Sequence, residues 1–255
     1  MTNDRQARAA RAEQMRKERE KADRKQRNLI TIAIVAIVVV LIAAAGWGIK
    51  SLSDSNEKNT EVIEPRNLTD GGVDYPAGGE GGAAADNADA PLVEVFEDFL
   101  CPACGQFEQS SGVFLKQQAE AGEIRLRFMP FSFLHNQSTN DYSRRAMNLA
   151  MCTVDTQGPE AFWEVNTALY ANQPSEGGAG PSNAELIDLA EEAGVTGLDE
   201  CVRTEKFSPW IDEARETASD EREIGGTPTV HINGKESEAR TPQELQAAFA
   251  EAAKS

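Results

Sequence analysis

Histidine is almost missing from this sequence and cysteine is scarce. Only His135 and His231 occur in 255 residues, together with Cys101, Cys104, Cys152 and Cys201. A structural zinc site needs a second closely spaced Cys or His pair beside a C-x-x-C, and none is present, so no metal site is expected. Basic residues are also sparse over most of the length. Residues 1–28 hold ten Lys/Arg against five Asp/Glu, a net of +5, and the whole-chain charge of −17 then leaves −22 for the rest. So acidic a remainder excludes nucleic acid and anionic lipid as its partners and reads as a solubility feature. No internal repeat is apparent, which sets aside solenoid architectures.

Charge is missing altogether from Leu29 to Ile49, 21 residues dominated by Ile, Val, Leu and Ala. That length spans a hydrocarbon core of about 30 Å. A buried helix of a soluble domain is the other reading, but nothing amphipathic surrounds the run. With Lys50, Lys58 and Arg66 the basic residues soon after it, the positive-inside rule keeps residues 1–28 as a cytoplasmic tail. The expected organisation is a single-pass anchor at 29–49 in the cytoplasmic (plasma) membrane, followed by an extracytoplasmic domain. Ala43-Ala44-Ala45-Gly46 resembles a signal-peptide cleavage site, so cleavage is the alternative to an uncleaved anchor. All four cysteines fall outside, where disulfides persist.

Residues 50–90 read as a linker. Ser51 to Thr60 is polar, and Gly71 through Ala90 holds six glycines and few large apolar residues; short strands near Glu61 to Ile63 or Val73 to Tyr75 stay open. From Pro91 to Leu100 a β-branched and aromatic run predicts a buried strand, and Phe107, Phe114, Leu115 and Ala119 predict a helix. Glu123 to Met129 alternates as a strand, giving a β-α-β start. A helix-rich stretch follows, containing Tyr142, Ala146 and Leu149, then Phe162, Trp163 and Tyr170. Ser182-x-x-Glu185 opens one further helix and Phe207-Ser208-Pro209-Trp210 another. Thr229 to Ile232 returns to the strand pattern before an Asn233-Gly234 hairpin turn, and Thr241-Pro242-x-Glu244 caps the final helix.

The chemistry concentrates at Cys101-Pro102-Ala103-Cys104. Pro102 suits a first helical position, which places Cys101 at a helix N-terminus. Unpaired N–H groups and the helix dipole there favour a thiolate by roughly 0.3 to 2 kcal/mol. Cys104, one turn on, can be shielded beneath it. One attacking and one resolving sulfur is the asymmetry that thiol-disulfide exchange needs.

Three segments together resemble the thioredoxin superfamily, specifically its DsbA-like branch, and most of all Gram-positive examples. They are Phe96-Glu97-Asp98-Phe99-Leu100-Cys101-Pro102-Ala103-Cys104, the helical segment with Ala161-Phe162-Trp163, and Gly225-Gly226-Thr227-Pro228-Thr229-Val230-His231-Ile232-Asn233-Gly234. The resemblance implies an α/β thioredoxin-like fold over 91–255 with a helical insertion at about 136–222. It makes Cys101 the exposed redox sulfur and Cys104 its resolving partner. Thr227 and Pro228, joined by a cis bond, would receive an extended substrate segment beside Pro102 and Ala103.

The same resemblance implies an extracytoplasmic thiol-disulfide oxidoreductase that oxidises cysteine pairs of unfolded secreted proteins. It needs no metal or organic cofactor, and a membrane reoxidase of VKOR or DsbB type would restore it. A disulfide isomerase or reductase is the alternative within enzymes, and a tethered chaperone-like binding module the alternative outside them. Two departures from the family pattern matter. The acid that many relatives carry six residues before the first cysteine is Val95 here, with Glu97 and Asp98 nearby. Pro102-Ala103 also lacks the histidine of the strongest oxidants, which implies a less extreme potential. Cys152 and Cys201 flank the insert and are expected to form a structural disulfide; two free thiols or a second redox pair are the alternatives. His135 reads as a loop residue and His231 as a sheet-face residue.

Overall fold

The computed structural model describes residues 61–76 and 89–254. The expected tail at 1–28, the membrane span at 29–49 and the spacer at 50–60 lie outside them. Among the described residues no helix is long and apolar enough to cross a membrane.

Five strands form one sheet in the order β1-β3-β2-β4-β5. Strand β1 is Val73–Asp74, β2 is Leu92–Glu97, β3 is Arg125–Pro130, β4 is Thr229–Ile232 and β5 is Lys235–Ser237. β2 is central, parallel to β3 and antiparallel to β4. Val93 to Glu97 are all buried, so β2 reads as a continuous run because both of its faces are covered. It is shorter than the expected 91–100. The chain turns at Asp98, whose carbonyl accepts the Cys101 N–H at 3.0 Å while its carboxylate accepts the Leu100 N–H at 2.8 Å.

Helix α1 (Pro102–Phe107) runs into a π-turn at Glu108–Gly112 and then α2 (Val113–Glu120). The single regular helix expected here is therefore interrupted. A π-turn accommodates one extra residue and reorients the side chains around it. Between β3 and β4 lie a 3-10 turn (His135–Gln137) and helices α3 (Tyr142–Ala171), α4 (Asn183–Glu192), α5 (Asp199–Arg203) and α6 (Ser208–Arg222); α7 (Pro242–Ala252) ends the fold. α3 consists of two segments meeting at Gly158-Pro159, where Gly158 has φ 85° and ψ −177°, a conformation open essentially to glycine alone. Capping boxes start α4 at Ser182 and α7 at Thr241. The Asn233-Gly234 turn has positive φ at both residues, as a type I′ hairpin requires.

The core fills the space between the sheet and the insert. Phe128 on β3 lies 5.7 Å from the Phe99 ring and 5.1 Å from Phe162, and Trp163 stands edge-on to Phe162. Cys152 and Cys201 form a disulfide joining α3 to α5.

Residues 61–76, read as linker with short strands left open, are built into the fold and include β1. Asp70 and Asp74 flank the buried Arg127 guanidinium at 2.9 and 2.6 Å, Arg66 pairs with Asp155 at 3.0 Å, and the Trp163 indole donates to the Asp74 carbonyl. Gly72 lies so close to β3 that a Cβ there would sit 2.5 Å from the Met129 sulfur.

Candidate active site

The end of β2 delivers Cys101 to the start of α1. Cys101 is the N-cap residue, with Pro102 following in the first turn. Its carbonyl accepts the Gly105 N–H at 3.1 Å, the first bond of the helix. Cys101 is 6% exposed and Cys104 0%, and both thiols are unpaired. The exposed Cys101 expected from the resemblance is thus a buried one, although it remains the more accessible of the two. Its cover is the loop before β4: the Cys101 thiol donates to the Thr227 carbonyl at 3.4 Å, and the Thr227-Pro228 bond is cis. Ala103 and Pro228 line a groove of about 370 Å³ together with Gln106, Phe107, Ser110 and Arg240. Pro102 is exposed beside it and does not line it.

The two sulfurs titrate in opposite directions. The Cys101 pKa is lowered to about 6, first by the hydrogen bond from Cys104 and then, against the cost of burial, by Thr227 and the backbone N–H groups of Cys104 and Ala103. Burial is the first cause that pushes Cys104 well above its ordinary value, with Cys101 and Glu97 adding to it. When the pair shares one proton, that proton resides on Cys104 and the charge on Cys101. This division defines a nucleophile and a resolving thiol.

Acids lie beneath the pair. Val95 is a core residue, whereas Glu97, two positions on and hence on the same strand face, is 1% exposed. Burial raises the Glu97 carboxyl well above the usual range, and the neighbouring Glu108 raises it further. Burial also raises Glu108, opposed by Lys116, whose ammonium is 3.3 Å from Glu108 and from the Thr167 hydroxyl and 5.1 Å from the Trp163 ring centroid. Glu97 is accordingly a buried carboxyl that holds its proton well above the usual range and whose charge, once the proton is lost, acts on Cys104. Period-two alternation alone could have identified it. Glu108 carries no such signal, because the π-turn that directs it inward leaves no mark in local periodicity.

Asp98 has a different task. Its carboxylate accepts four hydrogen bonds, from the N–H groups of Leu100, Phe133 and Leu134 and the Ser143 hydroxyl, at 2.8 to 2.9 Å. It fastens the redox turn to the segment after β3 and to α3. The histidines stand apart from this chemistry. His135 bonds Asn136 at 3.1 Å, and His231 on β4 contacts Arg222, which donates to Glu94 through its two terminal guanidinium nitrogens. Among the described residues no group of three or more His, Cys, Asp or Glu is disposed to hold a metal ion.

A thioredoxin-like sheet with a dithiol at a helix N-terminus, faced by a Thr-cis-Pro loop and interrupted by a helical insertion, defines the DsbA-like class of thiol-disulfide oxidoreductases. The family model described as Thioredoxin matches residues 81–251, and the chain belongs to that family. Among solved structures it is similar to the reduced disulfide bond oxidoreductase DsbG of Mycobacterium tuberculosis, at 36% identity and TM-score 0.57, over 63% of this chain and 77% of that one. It is also similar to oxidised DsbA of the same organism, at 32% identity and TM-score 0.60, over 72% and 93%. A curated relative, the serine/threonine-protein kinase PknE of M. tuberculosis, is 28% identical over 107 residues, 40% of this chain and 19% of that protein. The chain thus matches about a fifth of the length of that relative.

Proposed function

We propose that the chain is an extracytoplasmic dithiol oxidase that transfers its Cys101-Cys104 disulfide to unfolded secreted proteins. The observation that carries the reading is the division of the two sulfurs, one held as a thiolate near neutral pH and the other as a buried thiol. A substrate thiolate attacks Sγ of Cys101, the Cys101-Cys104 bond breaks, and Cys104 leaves with the bonding pair and takes up a proton. A second substrate thiolate then attacks the substrate sulfur of the mixed disulfide. The substrate disulfide forms and Cys101 departs as its stabilised thiolate, so the substrate loses two electrons and the enzyme gains them. Glu97 is positioned to supply the proton that Cys104 takes up. Pro228 and Ala103 border the groove in which an extended substrate would lie, and Thr227, the residue before Pro228, sits against the Cys101 sulfur.

Anchorage through residues 29–49 and reoxidation by a membrane partner of VKOR or DsbB type complete the proposal; the apolar run and the requirement for an electron acceptor support them. The test is single-turnover oxidation of a reduced, unfolded two-cysteine substrate by the oxidised protein. Wild type should deliver one disulfide per molecule and Cys101→Ala none, whereas Cys104→Ala, first joined through Cys101 to glutathione, should exchange the glutathione for a substrate thiol and hold a one-cysteine form of the substrate as a mixed disulfide. Trapping through Cys104 in the Cys101→Ala variant instead would reverse the roles, and loss of trapping in both would remove the reading.

A further inference from the structure

One polar side chain of the insert reaches the redox turn. Gln173 follows α3 by two residues, and its Nε2 donates to the carbonyl of Phe99 and to that of Cys101, each at 2.9 Å. The two acceptors fix which end of the amide points inward, since a reversed amide would set Oε1 against two carbonyl oxygens. The other end lies over α1, where a Cβ on Gly105 would stand 2.4 Å from Oε1 and 3.2 Å from Cδ. Gly105 is therefore the space that the amide occupies. Between these contacts Gln173 fixes the Phe99-Leu100 and Cys101-Pro102 peptide planes.

We propose that Gln173 is the positioning residue through which the helical insert sets the reactivity of Cys101. This rests on the dithiol-oxidase reading and adds to it a route from insert to thiolate. The Cys101 carbonyl accepts both the Gln173 amide and the Gly105 N–H, so the amide holds the first helical turn in the orientation that aims its free N–H groups at Sγ. A shift of the insert that withdraws Gln173 would weaken the thiolate with no change at either cysteine.

The test reads the pH profile of Cys101 alkylation and the equilibrium constant with glutathione in three variants. Gln173→Met keeps the length and removes the donor; Gly105→Ala leaves Gln173 in the chain but displaces its amide; Gln173→Lys keeps a donor and adds positive charge. The first two should raise the alkylation midpoint by about half a unit or more, which lowers the rate at pH 6 by about twofold or more, and Lys should leave it unchanged or lower it. Gly105→Ala also separates positioning from folding, because alanine favours the helix while it dislodges the amide. Wild-type midpoints in folded Gln173→Met and Gly105→Ala, or a shift of Lys in the same direction as Met, would overturn the assignment. Wild-type protein that fails to exchange with glutathione would remove the oxidase reading instead, and the alkylation midpoint would still decide for or against Gln173.

Discussion

Replacing Thr227 by valine isolates one hydroxyl beside the reacting sulfur. In the thiol state Cys101 donates to the Thr227 carbonyl at 3.4 Å, while Oγ1 of Thr227 is buried without a partner. Once the sulfur is ionised it can only accept, and the hydroxyl is the donor that can turn toward it, consistent with Thr227 among the groups that lower the Cys101 pKa. A hydrogen bond to a charged group contributes about 1.5 to 3 kcal/mol, and sulfur, with its longer contact, belongs at the low end. About 1.4 kcal/mol corresponds to one pKa unit and, for a two-electron couple, to about 30 mV. Thr227→Val should therefore move the Cys101 midpoint from about 6 to about 7 and make the pair more reducing by about 30 mV. Stability of the reduced protein at low pH should not fall, because the lost hydroxyl has no partner in the thiol state. Alkylation with iodoacetamide from pH 4.5 to 9, quantified on the Cys101 peptide, measures the first effect, and glutathione equilibration measures the second. An unchanged midpoint together with an unchanged potential would refute the role given to Thr227.

Glu97→Gln should retain the fold and raise Tm, since a desolvated acid is removed, yet slow single-turnover oxidation at neutral pH by at least about tenfold, as expected for loss of a general acid; unaltered rates would place proton delivery elsewhere. Replacing Cys152 and Cys201 together by serine opens a loop closed over a separation of 49 residues, worth about 4 kcal/mol on chain-entropy arguments, and should lower Tm while the folded fraction keeps its oxidase activity. Peptide mapping of the native protein that finds either of these cysteines joined to Cys101 or Cys104 would contradict that assignment. The reduced protein should lose stability relative to the oxidised form as pH falls from about 9 to about 6: the Cys101 pKa is lowered on folding from 9.0 to about 6, so its contribution is complete above the unfolded value and gone below the folded one. Parallel Tm curves for the two forms across that window would contradict the lowered value.

What was legible in the sequence divides by range. The strand ahead of Cys101, the capping boxes at Ser182 and Thr241 and the Asn233-Gly234 turn are local patterns whose cause lies within a few residues, and they appear where the pattern puts them, with the strand ending early at Glu97. Residues 61–76 were legible only in part: the short strand left open at Val73 to Tyr75 is β1, but the contacts that dock the segment were not. Their partners Arg127, Asp155 and Trp163 lie 50 to 90 residues away, and the glycines after them suggested a linker. The dithiol and the Thr-Pro loop could be read as motifs, but not the depth of Cys101, because burial is imposed by a loop 126 positions distant. Glu97 was half visible. Alternation put it on the face of Val95, whereas the value of its carboxyl depends on Glu108, which only the π-turn brings alongside. Gln173 follows the end of a helix with nothing in its neighbourhood to mark it.

The equilibrium reduction potential of Cys101-Cys104, measured against glutathione with both cysteines verified by mass spectrometry, tests the oxidase reading most directly. A stabilised Cys101 thiolate favours the reduced dithiol and hence an oxidising couple, while the missing histidine between the cysteines keeps it short of the extreme. The expected value lies between about −180 mV, typical of protein disulfide isomerase, and about −120 mV, typical of the strong oxidant DsbA. A potential near that of thioredoxin, about −270 mV, would mean that the pair stays reduced and would contradict the assignment as an oxidase.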